Sequence, residues 1–141
     1  MRVAFVVPGN PLPTARPRVV RSGGRSVAFT PKTSRDHQAV IAVHAKSVMK
    51  FLGARNFPLE GPLRLSAAFV RDSERRCDLD NLLKSVLDGL TLAKLWGDDS
   101  QVVELLATKK TSKTDSGIAI CVEHAEDDLL DVGGRQFGAA P

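Results

Sequence analysis

The chain has 141 residues, 43% of them hydrophobic, which is long and apolar enough for one domain with a proper core and marks the chain as globular rather than disordered. Its two cysteines, Cys77 and Cys121, stand outside any C-x-x-C pattern, which argues against a disulfide framework or a zinc site. The formal charge is +4, but residues 1–122 hold 19 Lys/Arg against 11 Asp/Glu while residues 123–141 hold one Arg against five acids, so the body of the chain is more basic than the whole and suits a polyanionic partner, most simply nucleic acid.

No apolar run approaches the ~18 residues of a membrane span. Val3–Val7, cut off by Pro8, is too short for a signal-peptide core, so the chain is expected to stay in the cytoplasm, with no membrane partner.

Taken in order, Arg2–Val7 reads as a first strand. Pro8–Pro13 holds three prolines with Gly9 and Asn10, which rules out regular structure. Pro17–Arg21 and Ser26–Thr30 read as two short strands around a Ser22-Gly23-Gly24-Arg25 turn. Through residue 35 there are seven basic residues and no acid: Arg2, Arg16, Arg18, Arg21, Arg25, Lys32 and Arg35. Such an arm can track phosphates along a DNA backbone, although arginines on edge strands also serve to block aggregation. Thr33 or Ser34 is expected to cap a helix over Arg35–Leu52, with Ile41, His44, Ala45, Val48 and Leu52 inward and Val40 and Phe51 at the edge. His37 and His44 are seven residues apart on this helix, roughly 10 Å along its axis, too far for one metal, and read as surface or groove residues. Asn56–Pro62 is a loop and Leu63–Val70 a strand. Arg71–Arg76 is a solvated loop whose Arg75 and Arg76 either stand beside the following acidic cluster to hold a nucleic-acid strand or neutralise Asp72 and Glu74. After that cluster, Val102–Thr108 is a strand, Lys109–Lys113 a basic loop and Gly117–Glu123 the last strand. Strands, helix, strand, helix and strands predict an α+β domain over residues 1–124, a mixed sheet with two main helices packed on it. Residues 125–141, acidic at Glu126, Asp127, Asp128 and Asp131 and then rich in glycine and alanine, are expected to form a mobile tail.

The cluster lies in Cys77–Gln101, where Asp78, Asp80, Asp88, Asp98 and Asp99 put five aspartates into 22 residues of an otherwise basic chain. Leu83, Val86, Leu87 and Leu90 fall on one helical face, and a helix is expected from Asn81 to Lys94 with Asp80 as its N-cap. Trp96-Gly97 would end it, and Asp98-Asp99-Ser100 would turn into the next strand. In one reading Asp80 is a cap, Lys84–Asp88 an exposed pair and Asp98–Asp99 an ordinary turn. In the other, a strand returning beside the helix brings Asp99 back to Asp78 and Asp80. Three carboxylates would then repel unless they shared a hard divalent cation such as Mg²⁺, which takes oxygen ligands and pairs with phosphate. Lys84, one turn after Asp80, would reach a scissile phosphate or a bound water.

The segments D-L-D-N-L-x-K at 78–84, D-G-L at 88–90 and W-x-D-D-x-Q-V at 96–102 resemble the RusA-type Holliday-junction resolvases. G-x-P-x-P-x-x-R-P-R at 9–18, a Gly-Gly turn and T-P-K at 30–32 resemble phage-type members, and the likeness covers roughly residues 3–124. The resemblance implies a single RusA-like domain in which Asp78, Asp80 and Asp99 bind divalent metal, Mg²⁺ or alternatively Mn²⁺, and Lys84 is required for cleavage. It implies a structure-selective endodeoxyribonuclease that resolves four-way junctions by paired symmetric nicks in recombination and repair. It also implies a homodimer, and the two strands that a junction offers for cutting argue for the same. Arg16, Arg18, Arg21, Arg25, Lys32, Arg75 and Arg76 would contact the DNA. Two rivals stand beside it. One is a non-catalytic DNA-binding protein whose aspartates are caps and turns. The other is a phosphohydrolase of small substrates, against which the extended basic arm argues.

Overall fold

Leu63–Arg71 alternates buried and half-buried residues without a break, the pattern of an interior strand packed on one face. It is the fourth of six strands in the computed structural model, which describes residues 1–14, 18–29 and 32–126. The order is β1 (Arg2–Pro8), β2 (Arg18–Ser22), β3 (Arg25–Phe29), α1 (Lys32–Leu52), β4 (Leu63–Arg71), α2 (Leu79–Leu92), β5 (Val102–Thr111) and β6 (Gly117–His124), with single 3₁₀ turns at Ala54–Asn56 and Asp99–Gln101. The sheet runs β1-β6-β4-β5, and β2 and β3 pair separately as a hairpin. Only β4 and β5 are parallel, and α2 is the crossover that parallel pairing demands. The architecture is the expected α+β one, a mixed four-stranded sheet with two main helices.

Both helices face the same core. Ile41, Ala42 and Ala45 of α1 and Leu82, Val86 and Leu90 of α2 are buried with Val3, Val7, Leu65, Phe69, Ile118, Ile120 and Val122 of the sheet. The helices approach closely because residue 89 is glycine: a Cβ there would lie 2.7 Å from Ile41 Cγ2. Nothing among the described residues covers the sheet's other face. Register aligns Arg2, Glu123, Arg64 and Glu104 across all four strands, and Arg64 bonds both Glu104 and Glu123 at 3.0 Å. Beyond that charged row the face carries Ala4, Val6, Ser66, Ala68, Leu106, Ala119 and Cys121, with Val6 and Leu106 each 62% exposed.

Several boundaries differ from expectation. Helix α1 begins at Lys32, so Thr33 and Ser34 lie in its first turn rather than capping it, and Ser34 is buried. Its inner stripe takes Ala42 and leaves Phe51 89% exposed. The cap of α2 is Asp78, and Asp80 is in the first turn, because the chain is already helical at Leu79. That helix stops at Leu92, since Lys94 turns left-handed at φ 60° and the Lys94 and Leu95 amides bond back to Thr91 and Leu90. Lys109–Thr111 continue β5 because they keep pairing with Phe69–Arg71, so the basic loop starts later. Arg16 and residues 127–141, including Asp127, Asp128 and Asp131, lie outside the described residues.

Candidate active site and nucleic-acid surface

The amino-terminal end of α2 lies where β4 ends. Asp78 is extended, and its carbonyl starts the helix by accepting from Leu82 N–H, but its carboxylate makes no cap hydrogen bond. Asp80 follows one residue into the helix and is exposed. Neither carboxylate joins an ion pair among the described residues. Arg75 and Arg76, expected beside the cluster, line one concavity of about 310 Å³ with Asp78, Arg71 and Lys109.

The segment before the basic hairpin is fastened to the same end of α2. Thr14 N–H donates to Asn81 O at 3.0 Å, Thr14 Oγ1 lies 2.8 Å from Ser85 Oγ, and Ser85 Oγ donates to Leu12 O at 3.0 Å. Leu12 N–H donates to His37 Nε2 at 3.3 Å, so this imidazole is neutral at that nitrogen, and burial lowers its pKa. His37 is therefore a tie between the loop and α1. Pro13, Arg76, Asp78 and Asn81 border a second concavity. The arm that carries the hairpin thus passes directly over the first turn of α2. Arg21 and Arg25 are exposed, Arg18 begins β2, and Lys32 begins α1.

The carboxyl-terminal return of α2 is built differently. Asp98 accepts from Ser100 N–H at 3.2 Å, and Gln101 Oε1 accepts from Gly97 N–H at 2.9 Å and Asp98 N–H at 3.2 Å, a complete capping box. Gln101 Nε2 also donates to Leu59 O and Gly61 O, which seats the turn on the β4 side. Lys84 Nζ pairs with Asp88 Oδ1 at 2.9 Å, and Asp88 Oδ2 accepts from Gln38 of α1. Asp88, chiefly by that hydrogen bond, raises the Lys84 pKa, and Asp99 adds a smaller pull. Asp99 is thereby placed within electrostatic reach of Lys84, not against Asp78 and Asp80. Among the described residues no three His, Cys, Asp or Glu side chains come together as a metal cluster, so the expected convergence of Asp78, Asp80 and Asp99 is not formed in this chain. The strand that returns after the helix pairs parallel to β4, which carries the 99 turn to the opposite end of α2.

A family model for endodeoxyribonuclease RusA matches residues 8–123, most of the chain. The chain belongs to the RusA family. The crossover junction endodeoxyribonucleases RusA of Escherichia coli strain K12 and of Shigella sonnei strain Ss046 are each 42% identical over 48 residues, 34% of this chain and 40% of the relative. The matched stretch thus spans two-fifths of those relatives' length.

Within this RusA-family chain the donor chemistry fits a hard divalent cation. Asp78 and Asp80 offer carboxylate oxygens with no ion-pair partner among the described residues, and Mg²⁺ is usually held by one or two carboxylates together with waters and phosphate oxygens. Lys84, with its pKa raised, stays protonated at neutral pH and can act as a fixed cation or proton donor but not as a base. The reach to a phosphate would require it to leave Asp88, and an exposed pair of that kind is worth at most about 1 kcal/mol.

Sequence patterning alone does not find Arg71, Lys109, Thr14 and Ser85. It assigns Arg71 and Lys109 to solvated loops, whereas both are strand residues at the carboxyl ends of β4 and β5. For Ser85 a signal is present, a lone hydroxyl within the apolar run of α2, where a buried polar group needs a partner. No helix of the described residues is long and apolar enough to cross a membrane.

Proposed function

We propose that this chain is a structure-selective endodeoxyribonuclease that resolves four-way DNA junctions by paired symmetric nicks, in recombination and repair. The observation that carries the reading is the meeting, at the start of α2, of unpaired Asp78 with Arg71, Arg75, Arg76 and Lys109 and with the root of the basic arm, Asp80 following two residues later in the first turn. Carboxylates free of ion pairs beside cationic side chains are what phosphodiester hydrolysis requires: the acids for a cation and the bases for the strand. The RusA family membership supports the substrate class.

Asp78 and Asp80 are the carboxylates that would hold a divalent cation, Mg²⁺ or Mn²⁺, which when bound would neutralise charge on the phosphate and lower the pKa of a water. Arg75 and Arg76 hold the strand against Asp78. Lys84 supplies a fixed ammonium toward the phosphate under attack. Arg16, Arg18, Arg21, Arg25 and Lys32 follow the backbone away from the cut. Two strands must be cut symmetrically, so the working form is a two-fold dimer. The sheet face that no described residue covers supports it: strands of about eight residues, four abreast, present roughly 500 Å², and a second copy laid on them would bury on the order of 1,000 Å², the lower limit for a specific interface.

The test is incubation with a labelled synthetic four-way junction with and without Mg²⁺. Paired nicks that require the metal are expected. Tight junction binding with no cleavage under any divalent cation would overturn the nuclease and leave a DNA-binding protein, the reading that the Lys84–Asp88 pair and the Asp98 capping box favour for those residues.

A further inference from the structure

We propose that the concavity between the carboxyl ends of β4 and β5 and the start of α2 is a phosphate site, built by Arg71 and Lys109, that holds a backbone phosphodiester next to the one being cut. The proposal rests on the nuclease reading and adds to it a positioning contact outside the carboxylates and the basic arm.

Arg71 is the deciding residue. It ends β4 with only 7% of its surface exposed, and it is the sole charged residue that is buried among those described. Its Nη1 donates to Arg75 O, while its Nε is buried with no acceptor. It pairs with no carboxylate among the described residues. A guanidinium held out of water without a counter-ion is strongly unfavourable, and burial of that kind persists where an anion completes it. Lys109 stands opposite on β5, two residues before the partner of Arg71 in the sheet register, and its Nζ donates to Cys77 O at 2.6 Å. That bond puts the ammonium at the backbone leading into Asp78 and neutralises none of its charge.

The same space, about 310 Å³, is lined by Arg75 and Arg76, with Glu74 and Asp78 as its acids, both exposed. The amino terminus of the 14-residue α2 opens beside it and adds partial positive charge. Four cations against two solvated acids select an anion, and the planar fork of an arginine matches the oxygens of a phosphate. A strand bound there would run past Asp78 into the first turn of α2.

The experiment measures junction affinity of the full chain, without divalent cation, across a range of salt for wild type, Arg71→Lys and Lys109→Gln. Lys109 is exposed, so Lys109→Gln keeps the test open if Arg71→Lys does not fold. Both folded variants are expected to bind several-fold more weakly, with the slope of log K against log salt reduced by up to about 0.9 for one phosphate no longer neutralised. A merely structural role would leave that slope alone. Wild-type affinity and slope in the folded variants would overturn the site while leaving the nuclease reading standing. If the wild type binds no junction, inorganic phosphate decides. A rise in melting temperature over chloride at equal ionic strength, diminished in Lys109→Gln, keeps the anion site and discards the DNA reading. No rise in the wild type discards both.

Discussion

The two ends of α2 carry the same kind of residue put to opposite uses. At the carboxyl-terminal return, Asp98 is consumed by structure: it takes the Ser100 amide, Gln101 answers across the capping box, and the turn is tied to Leu59 and Gly61. At the amino-terminal end, Asp78 stands at the cap position without capping, and Asp80 occupies the first turn without an ion-pair partner among the described residues. Acids are favourable near a helix amino terminus through the dipole alone, at about 0.3–1 kcal/mol, which is too little to account for two carboxylates left bare there, one of them beside arginines. The contrast teaches where to look: an aspartate whose hydrogen bonds are complete is holding the fold, and one whose oxygens are idle is available to a ligand.

The strongest way to break that contrast is Asp80→Asn. Cleavage of a pre-bound junction should fall by at least on the order of 10²-fold, as when one electrostatic stabiliser of a transition state is removed. Melting temperature and junction affinity should hold, and affinity should rise if anything, since a negative charge near phosphate is gone. Near-normal cutting at equal folded fraction and saturating Mg²⁺ would return Asp80 to the helix dipole.

The middle of the helix gives a purely structural control. Gly89→Ala places a methyl 2.7 Å from Ile41 Cγ2 in a packed seam, so unfolding free energy should drop by about 1–3 kcal/mol. Cutting per folded molecule should be unchanged. A denaturant titration paired with a single-turnover assay reads the two effects separately.

Lys84 sharpens the comparison because it sits between the ends and is paired with Asp88. Lys84→Ala should bind the junction yet cut on the order of tenfold more slowly or worse, with Lys84→Arg rescuing poorly, since a broad guanidinium replaces a compact donor. Full single-turnover activity in Lys84→Ala would leave only the surface pair.

The smallest effect is expected at Asp98. Ser100, through its hydroxyl and then its backbone N–H, holds this carboxyl below its usual pKa. With the folded value below the unfolded one, the stabilisation is complete above the ordinary carboxylate pKa of about 3.9 and is lost as pH falls through the folded value. Asp98→Asn should therefore melt slightly below wild type at pH 7, and the gap should narrow as the pH is lowered through the carboxylate range, while junction cleavage at pH 7 is kept. A gap of equal size at neutral and acid pH would show that the carboxylate charge is not what the turn uses.

Much of this molecule is legible in order. Short apolar segments between turn signals locate the strands and the apolar spacing of Leu83, Val86, Leu87 and Leu90 locates α2, because turns and helical periodicity are imposed locally. The motif around Asp78–Lys84 and Asp98–Val102 marks the RusA family for a related reason: fixed gaps along one helix and one turn survive in sequence as spacing. Helix ends are less legible. Whether Asp78 or Asp80 becomes the cap depends on where β4 releases the chain, and Lys94, not a glycine, takes the left-handed turn.

Only the tertiary structure decided which distant residues meet. Parallel pairing of β4 with β5 sends the 99 turn to one end of α2 and brings Lys109 to the other, beside Cys77 and Arg71. Residues 14 and 85, 12 and 37, and 71 and 109 lie far apart in the chain, and no local pattern announces their meeting, since a pairing register is settled by the sum of side chains along two strands and a helix face. By itself the sequence determined which residues had chemistry to offer. The folding of the crossover, through strand direction and burial, determined which of them remained unsatisfied at one place.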